Sequence, residues 1–299
     1  MQQNTKKRKL KSFAQRNEKW GFILLAPWLV GVVLFLLYPL VEVVIYSFND
    51  LKLDLEGIQL TFVGIENYRY LIKEHATFYQ ELLSTLAGII PDAIIIVIFA
   101  LFAAIILNGE YFGRTIARII FFLPIIMATD LISVSIVTVV DAAAETSTGD
   151  STSNMMFLAN FLIQNTSFPK EIIEPVLGLV SGVFDTIKLS GVQTLIFLGG
   201  LQGINPSLYE VSKIEGATGY ETFCKVTIPM ISPMILICAI YTLTDALTRA
   251  DIIDTIHTTG FNYAKYGQSS AMSVIYLVLG LILVGIVAWL IGKKVFYSD

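Results

Sequence analysis

Pro206-Ser-Leu-Tyr-Glu-Val-Ser-Lys-Ile-Glu-Gly-Ala-Thr-Gly-Tyr-Glu-Thr-Phe-Cys-Lys-Val-Thr-Ile-Pro229 is the stretch on which the fold turns. It lies between two long apolar runs and carries five charges, Glu210, Lys213, Glu215, Glu221 and Lys225, so it belongs outside the hydrocarbon. Its own apolar residues Leu208, Val211, Ile214 and Ala217 recur at helical spacing. That pattern predicts a short amphipathic helix lying parallel to a membrane. Gly216 and Gly219 then let the chain turn and a second helix begin. Nothing inside the loop itself can cover the apolar face of such a helix, so the face calls for a partner protein.

Outward from this loop, composition sets the class. Of 299 residues, 55% are hydrophobic and only 15% charged, a balance that no ordinary soluble domain of this length shows. Six apolar runs read as transmembrane helices: Gly21–Val41, Leu82–Leu107, Ile119–Val140, Val176–Leu201, Ile228–Leu247 and Ala271–Gly292. Only internally hydrogen-bonded helices or closed barrels can cross lipid. The expected fold is therefore all-α: one polytopic membrane domain over 21–297, preceded by a basic segment over 1–20. The first run is too long for a signal peptide and lacks a small-residue cleavage site, so it reads as a retained span.

Lysine and arginine give the orientation. Thirteen of the 20 basic residues fall in the N-terminal segment, the two even-numbered connections (Arg114, Arg118, Lys213, Lys225) and the C-terminal tail (Lys293, Lys294). Both termini and the 206–229 loop are thus expected on the cytoplasmic side of a multi-pass cell-membrane protein. The long connections 49–81 and 141–174 would face outward, the latter with a short surface helix over Met155–Ile163.

Several polar side chains sit at membrane depth. At 1.5 Å per residue, Asp92 lies about 15 Å below the outer end of its span, and Asp130 about 18 Å above the inner end of its own, near the midplane. Asp185 and Lys188 occupy the outer half of the fourth span, with Gln193 deeper; Asp245 and Arg249 stand toward the outer end of the fifth. Ionisable groups at such depth face a protein interior or a water-filled cavity. Asp185 with Lys188 and Asp245 with Arg249 have the spacing to pair along a helix face, a plain structural role. Asp92 and Asp130 have no basic residue in helical reach, which favours a cavity role. Carboxylate, amide and hydroxyl groups around a cavity suit a polyhydroxylated solute.

Absent motifs narrow the chemistry. No Gly-x-x-x-x-Gly-Lys-Ser/Thr occurs, and no hydrolytic constellation such as His-Glu-x-x-His or Gly-x-Ser-x-Gly. No catalytic residue is assigned. Two cysteines and two histidines, widely separated, form no metal-ligand cluster, and neither a metal nor a cofactor is expected. An ion-coupled secondary transporter working through Asp92, Asp130 or Asp185 is the alternative class; it would show an inverted repeat or broken helices, and neither is visible.

The 206–229 stretch closely resembles the signature loop of the membrane subunits of ATP-binding-cassette importers. In that family Glu-Ala-Ala is followed by Gly four residues after the last Ala, then by a hydrophobic-Thr-hydrophobic-Pro ending. Glu210, Gly216, Ala217, Phe223, Thr227 and Pro229 fall at the family positions, with Val211 and Ser212 in place of the two alanines. Leu37-Tyr38-Pro39, Tyr46-Ser47-Phe48, Phe62–Tyr68, Phe121–Pro124, Leu198–Gln202, Asp251, Gly267 and Ser270–Ser273 extend the resemblance, specifically to the carbohydrate-uptake branch with its maltose, glycerol-phosphate and oligosaccharide permeases. The family's Thr-x-Gly-Gly-Pro in the last outer loop is here His257-Thr-Thr-Gly-Phe261, and its Trp on the fourth span is Ile187.

The resemblance implies a type I importer permease bundle of six helices that takes up a sugar or oligosaccharide by alternating access. It implies a second, related permease chain, a dimer of cytoplasmic ATPases, an extracytoplasmic solute-binding protein and the lipid bilayer as partners, and no nucleic acid. Glu210, Val211, Ser212, Gly216, Ala217, Phe223 and Pro229 would couple to the ATPase. Asp92, Asp130, Asp185, Lys188, Gln193 and Asp245 are the candidate solute-pathway residues.

Overall fold

The computed structural model of the chain describes residues 24–54, 57–73, 76–109, 111–116, 118–119, 121, 182–183 and 185–295. In chain order the elements are α1 (Leu24–Ser47), β1 (Asn49–Asp54) and β2 (Gly57–Phe62), α2 (Glu66–Lys73) and α3 (Ala76–Asn108). After a helical stretch at 185–189 come α4 (Gly191–Gln202), α5 (Pro206–Ile214), α6 (Gly219–Thr222) and α7 (Ile228–Thr248). The last two are α8 (Ile252–His257) and α9 (Tyr266–Gly292).

Among the described residues four helices are long and apolar enough to cross a membrane: Leu24–Ser47, Thr77–Asn108, Gly219–Thr248 and Tyr266–Gly292. They match the first, second, fifth and sixth expected spans. Nearly all of the third expected span, with Asp130, and the outer connection 141–174 lie outside the described residues. Of the fourth, only the portion from residue 182 is described, without 184.

The all-α expectation needs one correction. Asn49–Asp54 and Gly57–Phe62 pair as antiparallel strands, with Asn49 opposite Phe62 and Leu51 opposite Leu60. Asp, Lys and Gly in this stretch mask a strand signal that rests on only a few alternating apolar residues.

The chain contacts group into two compact units, residues 1–83 with 251–279, and residues 84–250 with 280–299. In the first unit, Asn67 is the organising side chain. Its Nδ2 donates to the Ser47 carbonyl at 3.0 Å and the Asn49 carbonyl at 3.2 Å. The Tyr68 hydroxyl donates to Ser47 Oγ at 2.6 Å, and Ser47 Oγ donates to the Val44 carbonyl. Gly267 packs so close that a Cβ there would collide with the Asn49 carbonyl oxygen. Three separate motifs, Tyr46–Phe48, Phe62–Tyr68 and Gly267, thus meet at one buried hydrogen-bond hub, where each polar group must find a partner because water is excluded. Thr255 Oγ1 on α8 bonds the Glu81 carboxylate at 2.9 Å, fastening α8 to the start of α3.

The second unit is a helix-packed core. Ala100, Ala104 and Leu107 of α3, Phe197, Leu198 and Leu201 of α4, Ile204, and Ile231 and Cys238 of α7 form one buried cluster. Ala100 and Ala104, one turn apart and fully buried, leave room for close helix approach. Gly199 and Gly203 have the spacing of a packing motif, but the tight contact is made by their neighbour: a Cβ on Gly200 would lie 2.7 Å from Met234 Cγ. A further cluster of Ile89, Ala93 and Leu243 takes in Leu247, Leu283, Val284 and Val287, joining α3, α7 and the second half of α9. The Arg118 guanidinium donates to the Leu107 carbonyl from Nε (3.1 Å) and Nη2 (2.8 Å), closing the C-terminus of α3 with a charge of favourable sign.

Candidate functional site

The loop between α4 and α7 is built as a rigid bracket. Asn205 caps α5, its Oδ1 accepting from the Ser207 amide at 3.1 Å, and Pro206 occupies the first helical turn, where no amide is needed. At the other end the Ala217 amide bonds the Ser212 carbonyl at 3.0 Å and the Gly216 amide bonds the Lys213 carbonyl at 3.1 Å. With Gly216 at φ +75°, this is a Schellman closure of the helix, and the left-handed position explains why glycine stands there.

The chain restarts at once. Thr218 caps α6 through a reciprocal box: the Glu221 amide donates to Thr218 Oγ1, and the Thr218 amide donates to Glu221 Oε2 at 2.9 Å. Lys225 reaches the same carboxylate at 3.7 Å, an exposed pair of little energetic weight. A π-helical turn, Phe223–Thr227, then runs into α7, with Pro229 in its first turn.

Two side-chain bonds lock α5 onto α6 and the π-helical turn. Ser212 Oγ and Thr222 Oγ1 are 2.5 Å apart, and the Tyr209 hydroxyl and Thr227 Oγ1 are 3.2 Å apart. Ser212 and Thr227 are buried, and Tyr209 packs on the core of the second unit. The inward face of α5 is therefore Tyr209 and Ser212, held by hydroxyls. Leu208, Val211 and Ile214 point away from the protein, Ile214 being 86% exposed. Glu210, Lys213 and Glu215 are exposed beside them, Ala217 and Phe223 are half-buried, and Tyr220 extends the exposed apolar surface. The bracket thus presents an uncovered apolar stripe ringed by charge, on a helix pinned at both ends.

Tyr209, Thr222 and Thr227 carry the bracket's internal bonds, yet hydropathy and charge do not single them out. For Tyr209 and Ser212 the available signal is their i,i+3 spacing, which puts two hydroxyls on the side of α5 turned away from Val211 and Ile214; no local signal marks Thr222 and Thr227.

The membrane-depth residues divide. Asp92, directly after Pro91 in α3, is exposed. Asp185 is exposed, Lys188 half-buried and Gln193 fully buried. Gln193 Nε2 donates to Thr242 Oγ1 at 2.9 Å, and Thr242 Oγ1 donates to the Cys238 carbonyl at 2.7 Å. This chain of donors fixes the amide orientation, and among the described residues Gln193 Oε1 is buried without a partner. Asp245 and Arg249 do pair: Arg249 donates from Nη2 at 2.5 Å and from Nε at 3.1 Å to Asp245 Oδ2. Packing of Gly200 on Met234 and of Gln193 on Thr242 makes α4 and α7 antiparallel neighbours. That register puts Asp185 and Lys188 at the same end of the helix pair as Asp245 and Arg249, away from the bracket.

Comparison with known proteins gives this geometry a context. Residues 186–295 match the family described as the binding-protein-dependent transport system inner membrane component. The trehalose/maltose transport system permease protein MalF of Thermococcus litoralis is 27% identical over 88% of this chain and 90% of its own length. The arabinooligosaccharides transport system permease protein AraP of Bacillus subtilis is 25% identical over 87% and 85% respectively. A crystal structure of a bacterial ABC transporter that imports the acidic polysaccharide alginate contains a chain of similar fold: TM-score 0.63 at 18% identity, covering 94% of this chain and 99% of that one. A bacterial alginate ABC transporter has also been crystallised in complex with a periplasmic protein bound to an alginate pentasaccharide (TM-score 0.62, 18% identity). A family match across the bracket and the helices on either side of it, together with near full-length relatives and a shared fold, supports a carbohydrate-uptake permease of the ATP-binding-cassette type, the proteins this chain is similar to.

Proposed function

We propose that this permease imports a sugar or oligosaccharide by alternating access, driven through the α5 bracket by a cytoplasmic ATPase dimer. The observation that carries it is the bracket itself. Its apolar stripe of Leu208, Val211 and Ile214 is exposed while hydroxyl bonds pin its inner face to α6 and the start of α7. A stiff element fixed to the membrane helices and presenting an uncovered face can pass rigid-body movement from a soluble partner to the spans. Glu210 supplies charge-assisted bonds at that contact and Gly216 the close turn.

The solute class rests on the relatives, whose names refer to trehalose, maltose and arabinooligosaccharides, and on the polar groups at one end of the α4–α7 pair. Those relatives give the ion-coupled alternative no support. In the proposed arrangement six spans place both termini and the bracket in the cytoplasm. A second permease chain completes the pathway, and an extracytoplasmic binding protein delivers solute at the end marked by Asp185, Lys188, Asp245 and Arg249. Asp92, Asp130 and Gln193 are the remaining pathway candidates. The 141–174 connection would contact the binding protein.

The test is reconstitution of the permease with its partner permease, ATPase and binding protein, with ATP hydrolysis then measured across a panel of neutral oligosaccharides, acidic oligosaccharides and amino acids. Stimulation by a neutral saccharide only when the binding protein is present is the expected result. Stimulation by an amino acid alone would overturn the solute class, and uptake driven by a proton gradient without ATP would overturn the mechanism. For Asp130, a cysteine at that position should react with a water-soluble thiol reagent in one nucleotide state. Lack of reaction in every state, with normal uptake by Asp130→Ala, would remove it from the pathway.

A further inference from the structure

The two sides of the second half of α9 differ sharply. On one, Gly280 packs against Leu247 at 3.2 Å for a would-be Cβ, and Leu283, Val284 and Val287 lie on the core shared with α3 and α7. On the other, Leu281, Gly285, Trp289 and Lys293 recur at four-residue intervals along a single ridge. Leu281 is 66% and Trp289 60% exposed, and a Cβ on Gly285 would meet nothing within 4 Å. The ridge thus has a one-residue notch between two large apolar side chains. At its end the Lys293 ammonium sits 3.5 Å from the centroid of the Trp289 ring, with the exposed Lys294 next to it. No carboxylate occurs anywhere in Tyr266–Gly292.

We propose that this ridge is a binding site for an anionic phospholipid, whose acyl chain lies along Leu281 and the Gly285 notch and whose phosphate is held by Lys293 and Lys294. The notch gives a flexible chain a place to sit without displacing a side chain. Trp289 suits the boundary, since its indole combines an apolar body with one N–H donor. The cation–π contact holds Lys293 over the ring, so its ammonium is positioned before any ligand arrives. With two adjacent cations and no acid on the helix, the charge complement is an anionic headgroup. A protein surface would have to supply carboxylates matched to both lysines and a side chain shaped to the notch.

The test uses the full-length chain with Trp20→Phe and Trp28→Phe, leaving Trp289 as the one tryptophan. It is reconstituted in phosphatidylcholine vesicles containing the same low mole fraction of either brominated phosphatidylglycerol or brominated phosphatidylcholine. Brominated phosphatidylglycerol should quench Trp289 fluorescence more strongly, from a local enrichment of roughly fivefold per lysine. Lys293→Gln with Lys294→Gln should make the two lipids equivalent. Added inorganic phosphate should leave the difference in place, because it lacks the acyl chain. Equal quenching by both lipids before substitution would overturn the site. Quenching by neither would also overturn it, and would mean that a second copy of the chain covers the ridge. Relief by inorganic phosphate would reduce the site to a free-anion contact.

Discussion

Gly216 offers the sharpest trial of the bracket. Its φ of +75° lies where side-chain-bearing residues are strained, yet a Cβ there would meet no atom within 4 Å. The cost of substitution inside this chain is therefore backbone conformation alone, about 1–2 kcal/mol for Gly216→Ala and toward about 3 kcal/mol for the β-branched Gly216→Val. Asn tolerates the left-handed region, so Gly216→Asn should cost less than Ala. A strain of about 1–2 kcal/mol shifts the formed-to-unformed ratio of the turn by roughly 5–30-fold, since the Ser212–Ala217 and Lys213–Gly216 bonds close only with this geometry. ATPase affinity and ATP-driven uptake, measured on the same vesicles, should then fall in the order Gly, Asn, Ala, Val while the amount of permease in the membrane stays constant. Uptake by Gly216→Val equal to that of the unmodified chain would refute the role of this turn in coupling. If Gly216→Asn is as damaging as Gly216→Val, the harm comes from side-chain bulk against the ATPase, and the strain argument fails.

The packing makes three further outcomes testable. Gly267→Ala drives a Cβ into the Asn49 carbonyl oxygen, a backbone atom that already accepts from Asn67; the thermal unfolding midpoint of the purified permease should drop, by the equivalent of about 1–3 kcal/mol, and an unchanged midpoint would contradict the hub at Asn67. Gln193→Leu loses the bond to Thr242 but also removes an unpartnered buried oxygen. The two effects, about 1 and about 1–3 kcal/mol, leave stability equal or raised, whereas Gln193→Ala should lower it; a marked loss with Leu would show that Oε1 has a partner. Arg249→Gln should change stability by no more than about 1 kcal/mol, because the pair with Asp245 is partly solvated. Uptake should nonetheless fall, and normal uptake would confine Asp245 and Arg249 to a structural pairing.

The sequence by itself determined the class of molecule. Long uncharged runs can only be membrane helices, and a charged, helix-periodic loop between two of them can only be an interfacial element, because desolvating charges in hydrocarbon is so costly. A short amphipathic helix here and a turn at Gly216 before a second helix were legible for a local reason, because left-handed turns are written in adjacent residues. The Asp245–Arg249 pair was legible too, as an i,i+4 spacing on one helix.

Only the tertiary structure decided what depends on residues far apart in the chain. That the apolar face of α5 stays uncovered was legible, but what holds its other face was not, since Tyr209 and Ser212 bond Thr227 and Thr222, which lie 18 and 10 residues away. Gly199 and Gly203 have the spacing of a contact, yet Gly200 makes it, because the rotation of α4 against Met234 is set by the whole core. The strand pair Asn49–Asp54 with Gly57–Phe62 escaped notice because its strands are stabilised by pairing with each other and by the Asn67 hub, not by a strong local pattern. Periodicity records what each segment needs to bury; the register of one segment against another depends on side-chain volumes and hydrogen-bond partners that only the folded chain brings together.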